Sequence, residues 1–155
     1  MSDSVCPQCG AAPRAGQTCQ ELLHDILEKK YAADAAEYGI AVACYALQHP
    51  AQQTDRTLEW AHFHLTVAVE AGLSLEEIRR LARARFDQRR YRAPPGSLRT
   101  ALARAAWQMN IRDLDALAGG TDAGRILHWA RTVLEDIGGK ARDQPIGSRR
   151  QGRSR

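Results

Sequence analysis

Aromatic residues make up only 6% of this 155-residue chain, and runs of β-branched residues are missing, while Ala, Leu and Arg abound. Sheets favour the first two kinds of residue and helices the last, which argues against an all-β fold and for a helical one. No stretch approaches the roughly 18 uninterrupted apolar residues that a membrane-spanning helix requires. The opening MSDSVCPQCG has neither a basic start nor an apolar run of the kind that marks a secretory leader. A soluble protein of the cytoplasm, with no membrane partner, is therefore expected. Also missing are a P-loop, a dinucleotide-binding glycine fingerprint, a nucleophile-elbow serine and a His-Glu-x-x-His pair, so those enzyme classes are set aside.

What is present is ordinary globular composition, 44% hydrophobic and 26% charged, which suffices for one domain with a core over 1–139. The net charge of +4 is unevenly spread. Residues 140–155 hold six Lys or Arg and one Asp, a net of +5, which leaves the other 139 residues at −1. That tail, rich in Arg, Gly and Ser, lacks the apolar surface to offset its ordering entropy and is expected to be disordered. It is a solvated terminus, or a strip that holds a nucleic acid or an acidic partner through counterion release.

The cysteines carry most of the chemical information. Cys6-Pro7-Gln8-Cys9-Gly10 has the local form of a zinc knuckle within a loop covering 1–18. Two intervening residues let both sulfurs face one tetrahedral ion, and the following Gly can take the positive φ that turns amides toward them. A redox pair would open a helix after a strand, and no strand precedes this one. Thr18-Cys19-Gln20-Glu21 reads as a capping box, which puts Cys19 at the first helical position, where the dipole favours thiolate.

Apolar periodicity predicts helices over 19–30, 33–48, 55–72, 74–90, 98–108, 112–118 and 122–137, a bundle of about five to seven helices. The third carries two apolar stripes, Leu58, Leu65 and Val69 on one side and Trp60, Val67 and Ala71 on the other, so burial on two faces is expected. Short connections make neighbours antiparallel. Cys19, His49 just before Pro50, and His62 and His64 in the third helix are then expected at one end, covered by the knuckle. A Cys3His or Cys2His2 site follows, and spacing leaves the choice among the three histidines open. His62 and His64 also suit a packed core, Cys44 reads as core, His24 reads as a surface residue, and His128 as a packing or surface residue. Asp55, Glu59 and Glu70 read as solvated charges rather than as a general base.

Cys6-Pro7-Gln8-Cys9-Gly10-Ala11, Cys19 at a helix start, Cys44-Tyr45-Ala46-Leu47-Gln48-His49-Pro50 and His64-Leu65 before Glu70 together resemble the successive motifs of a small bacterial family catalogued as domain of unknown function 5946. The likeness continues to Trp129-Ala130 and Val133. It implies that Cys6, Cys9, Cys19, His49 and His64 are the family's positions and that Cys44, His24 and His62 are not. Where the family often has a longer segment with a His, only Ala11 to Thr18 separates the knuckle from Cys19 here. No reaction comes with the family. Ranked together, Cys6, Cys9, Cys19 and His49 are the expected ligands of one zinc, with His64 either the fourth ligand or a residue orienting one. Three thiolates and an imidazole make a closed structural site; if Cys19 stood outside it, thiol chemistry would become open to it.

A second class of function has its own signal. Arg79, Arg80, Arg83 and Arg90 share a face of the fourth helix, which with the tail would suit phosphates. The leading expectation is a zinc-binding protein that acts through an unknown protein partner. A metal-dependent or thiol enzyme and a nucleic-acid module are the alternatives.

Overall fold

The starts of three helices are pinned by side chains. Thr18 Oγ1 accepts from the Glu21 amide at 3.2 Å while the Glu21 carboxylate accepts from the Thr18 amide at 2.7 Å. Ser74 and Glu77 form the same reciprocal pair, and Thr54 caps the helix between them by accepting from the Thr57 amide. Each satisfies amides that a helix start leaves without partners.

The computed structural model describes residues 5–12, 16–30, 35–87, 91–93, 96–116 and 122–138, and it is all-helical among them. In chain order the helices are α1 (Cys19–Lys30), α2 (Ala35–Gln48), α3 (Asp55–Val69), α4 (Leu75–Arg85), α5 (Ser97–Arg104), α6 (Ile111–Ala116) and α7 (Asp122–Gly138), with a 3-10 turn at Pro50–Gln52. The tail 140–155 and Arg90 lie outside the described residues.

The α2–α3 hairpin is the spine, and α7 packs against both of its helices. Leu47, Leu58, Leu65, Ile126, Trp129 and Val133 are fully buried there. α1 presents Leu22, Leu23, Ile26 and Leu27 to the core and packs on α6, α4 folds back on α3, and α5 rests on α3 and the 3-10 turn. Cys44 is fully buried, while His24 and His128 are exposed.

Several helices end earlier than periodicity predicts. α4 stops at Arg85, not near residue 90, because Phe86 turns in to meet Phe63 edge-on at 5.6 Å and Tyr91 at 4.8 Å. α5 ends at Arg104, because the next segment is held by partners distant in sequence. The Asp136 carboxylate accepts from the Gln108 amide and side chain at 2.9 and 2.7 Å, and the Met109 carbonyl accepts from Gln48 Nε2 at 2.7 Å. α3 buries one face fully, through Leu58, Ala61, His64 and Leu65; on the second expected stripe Trp60 and Val67 are half-buried and Ala71 is exposed.

The turn joining α2 to α3 is clamped by Arg99 of α5. Its guanidinium donates to the carbonyls of Pro50 and Gln53 at 2.7 and 2.8 Å and to the Asp55 carboxylate at 2.8 Å. Three fork-shaped donors satisfy two loop carbonyls and one charge at once. Replacing Arg99 with Ala should lower the unfolding free energy by about 2 kcal/mol, with Arg99→Lys recovering only part of it because one ammonium cannot span all three acceptors. Denaturant unfolding of the two variants measures this, and equal stability of Arg99→Ala and the parent would contradict it.

Candidate metal centre

The knuckle is a closed loop before any metal is considered. The Cys6 amide donates to the Ala11 carbonyl at 2.8 Å, the Gly10 amide to the Cys6 carbonyl at 2.9 Å, and the Ala11 amide to Cys9 Sγ at 3.4 Å. Gly10 takes φ +76, a left-handed conformation that a side chain would strain. Gln8 Oε1 then accepts from the Ala51 amide at 3.0 Å, docking the loop onto the turn after α2.

Two helix ends meet the knuckle there. Cys19 opens α1 behind the Thr18 cap, and His49 follows the last residue of α2, where Pro50 ends the helix. Sγ of Cys6, Cys9 and Cys19 and a ring nitrogen of His49 all lie within 4.8 Å of one another. Cys9 and Cys19 sulfurs are 3.7 Å apart, and Cys6 Sγ is 3.7 Å from His49 Nε2. All four cysteines of the chain are free thiols. A tetrahedral ion with metal–sulfur bonds of about 2.3 Å and a metal–nitrogen bond of about 2.0 Å requires ligand edges of about 3.8 Å between sulfurs and about 3.5 Å between sulfur and nitrogen. The Cys9–Cys19 and Cys6–His49 edges of 3.7 Å match that tetrahedron, and the Cys9–Cys19 separation is far too long for a disulfide of about 2.05 Å.

The histidine is prepared to be a ligand. Its Nδ1 donates to the Tyr45 carbonyl at 2.9 Å, an acceptor only, so Nε2 carries the lone pair that faces Cys6. The Tyr45 ring stacks on the imidazole at 4.0 Å. Burial lowers the His49 pKa, with the Tyr45 hydrogen bond opposing, which favours the neutral form that metals bind.

The thiols show what a cation would relieve. Burial drives Cys9 far above the ordinary thiol range, and the nearby Cys19 and Cys6 sulfurs push it further. Burial raises Cys19 as well, with Cys6 adding to it. At Cys6 burial also pushes upward, but hydrogen bonds from the amides of Cys9 and Gln8 and from the Cys9 and Cys19 side chains together outweigh it and hold the thiol below its usual value. The Tyr45 hydroxyl is pushed up to about 12 by burial and by the three sulfurs. A bound metal ion would reverse this logic, since its charge favours every thiolate that the dry site opposes.

His64 is not part of the group. It is the tenth residue of α3, so its place lies about 14 Å along the helix from Asp55. There its ring faces Gly39, near the start of α2, where an added Cβ would stand 3.2 Å from Cε1. The expectation that His62 and His64 share the end occupied by His49 is therefore corrected: periodicity assigns a face, and the length of α3 carries both histidines away from the turn. His64 is 3% exposed with neither ring nitrogen hydrogen-bonded among the described residues, and its ring lies 5.1 Å from Trp60. His62 is half-buried. Asp55 is engaged by Arg99, and Glu59 and Glu70 lie outside the group of possible ligands. Sequence reading missed Gln8 and the Tyr45 carbonyl; the four-residue spacing of Tyr45 and His49 on a helix was the available signal for the second.

The fold and this site define an all-helical protein whose N-terminal Cys3His cluster can hold a metal ion. Residues 4–138 match the family of unknown function DUF5946, and the chain belongs to that family. No curated protein and no solved structure matches it.

Two outcomes follow. Metal analysis of purified variants should find the ion lost in His49→Ala and retained in His64→Ala; retention by the first or loss from the second would contradict the assignment. Acid should also act through the histidines. His49, His62 and His64 are each lowered from 6.5, chiefly by burial, so protons bind the unfolded chain more readily. Stability from these groups is complete above the unfolded value and is lost as pH falls below it toward the folded values. The melting temperature should be flat between about pH 7 and 8, below the range in which the buried thiols ionise in the unfolded chain, and drop below 6.5; a constant midpoint down to pH 5.5 would contradict this.

Proposed function

We propose that this chain is a zinc protein whose metal is structural and whose role is that of a binding or regulatory protein, acting in the cytoplasm through a protein partner. The observation that carries the reading is the meeting of three sulfurs and one imidazole nitrogen within 4.8 Å. Thiolate-rich tetrahedral sites suit zinc, and four protein ligands leave no place for the water that a catalytic zinc activates. Exposure supports closure: His49, Cys9 and Cys19 are 1%, 2% and 7% exposed, and Cys6 alone is half-buried.

The four ligands come from three segments that are distant in sequence, the knuckle, the start of α1 and the end of α2. An ion held by all of them ties the N-terminal loop to the hairpin, and its binding free energy becomes folding free energy. A chelator strong enough to strip zinc should lower the melting temperature by more than about 10 °C, consistent with several kcal/mol of metal-linked stability. Re-addition of zinc should restore it. An unchanged melting temperature in fully stripped protein would overturn the structural reading.

A further inference from the structure

The positive charge of this chain is concentrated in two places. Residues 75–92 contain seven Arg and three acids, a net of +4, and the tail carries +5, so the remaining 121 residues sum to −5. The arginines near α4 divide by what they do. Arg56 donates to the Phe86 carbonyl, and Arg85 lies 5.0 Å over the Phe63 ring and 5.7 Å over Phe86, so both help to hold the α3–α4 junction. Arg79, Arg80 and Arg83 are exposed and form no ion pair or hydrogen bond with any described residue.

Their positions place them on one outer arc of α4, opposite the buried Ile78. Of the two acids in the first turn, Glu77 is folded back onto Ser74 in the capping box, and Glu76 stays exposed on the arc. Glu77 stays ionised and feels the Arg80 charge, so three arginines against two glutamates leave this stretch at +1. The helix dipole accounts for Arg83 in the last turn but gives no benefit to Arg79 and Arg80, which lie in the second turn. Guanidinium groups one helical turn apart, with no hydrogen bond or ion pair to a described residue, suit the repeated charges of a phosphate backbone, which they can grip with paired donors.

We propose that the outer face of α4, through Arg79, Arg80 and Arg83, docks the phosphate backbone of a nucleic acid. Contact to phosphates positions a protein without reading bases, so binding is insensitive to base order and strongly dependent on salt. The zinc reading is not needed for this surface, because no ligand of the metal group lies on α4.

The test is fluorescence anisotropy of a labelled 20-nucleotide single strand and a 20-base-pair duplex with the full-length chain, in about 50 to 300 mM NaCl, a range that resolves counterion release. The parent should bind at least one of them with an affinity that falls linearly on a log–log salt plot. The triple variant Arg79→Gln, Arg80→Gln, Arg83→Gln should bind at least tenfold more weakly at about 100 mM salt, with the slope flattened by about 2 to 3. A charge-matched triple in the tail, Arg149→Gln, Arg150→Gln, Arg153→Gln, should lose less. Circular dichroism and melting should match the parent, because all three helix positions are exposed. The proposal is overturned by no binding at about 50 mM salt, or by equal losses in the two triples, which would mean net charge alone. Competition by polyglutamate as effective, charge for charge, as unlabelled oligonucleotide would also overturn it, and would point to an acidic polypeptide instead.

Discussion

Three sulfurs and an imidazole nitrogen crowded into one dry corner are the constraint on which this fold turns. Without a cation the corner opposes its own ionisation, since burial and mutual repulsion hold Cys9 and Cys19 as neutral thiols. A cation held there would turn the same crowding into a tetrahedron joining a loop, a helix start and a helix end. The geometry is held from outside the four ligands. Tyr45 selects the tautomer of His49, Gln8 docks the knuckle on the turn, and Arg99 clamps that turn from α5.

The two ends of the α2–α3 hairpin are chemically different. At the His49 end hydrogen bonds knit the segments together: His49 Nδ1 to the Tyr45 carbonyl, Gln48 Nε2 to the Met109 carbonyl and the Asp136 carboxylate to Gln108, although Gln48 Oε1 has no partner among the described residues. Farther along, the contact between His64 and Gly39 is steric: the missing side chain of Gly39 makes room for the ring. A buried imidazole without a hydrogen bond among the described residues costs stability, and burial answers by holding it neutral. Charge follows a third division, with cations on α4 and in the tail set against a net acidic remainder.

Much of this was legible in the residues. Both capping boxes, at Thr18 and Ser74, stand where their sequence pattern puts them. The pair Cys6 and Cys9, Cys19 at a helix start and His49 before Pro50 are local signals, and the hairpin brings their positions together. What sequence did not disclose depends on distance along an element or on partners far away in the chain. A period of 3.6 residues fixes the side of α3 that His64 occupies but not its height relative to His49. α5 ends because Gln108 and Met109 are captured by Asp136 and Gln48, and α4 ends because Phe86 packs on Phe63; none of these partners is local.

X-ray absorption at the zinc edge, on protein purified under reducing conditions, would read the ligand set of the Cys3His group itself. About one zinc per chain is expected, with three sulfurs at about 2.3 Å and one nitrogen at about 2.0 Å. A metal-free protein, or a shell built from oxygen and nitrogen without the three sulfurs, would contradict it.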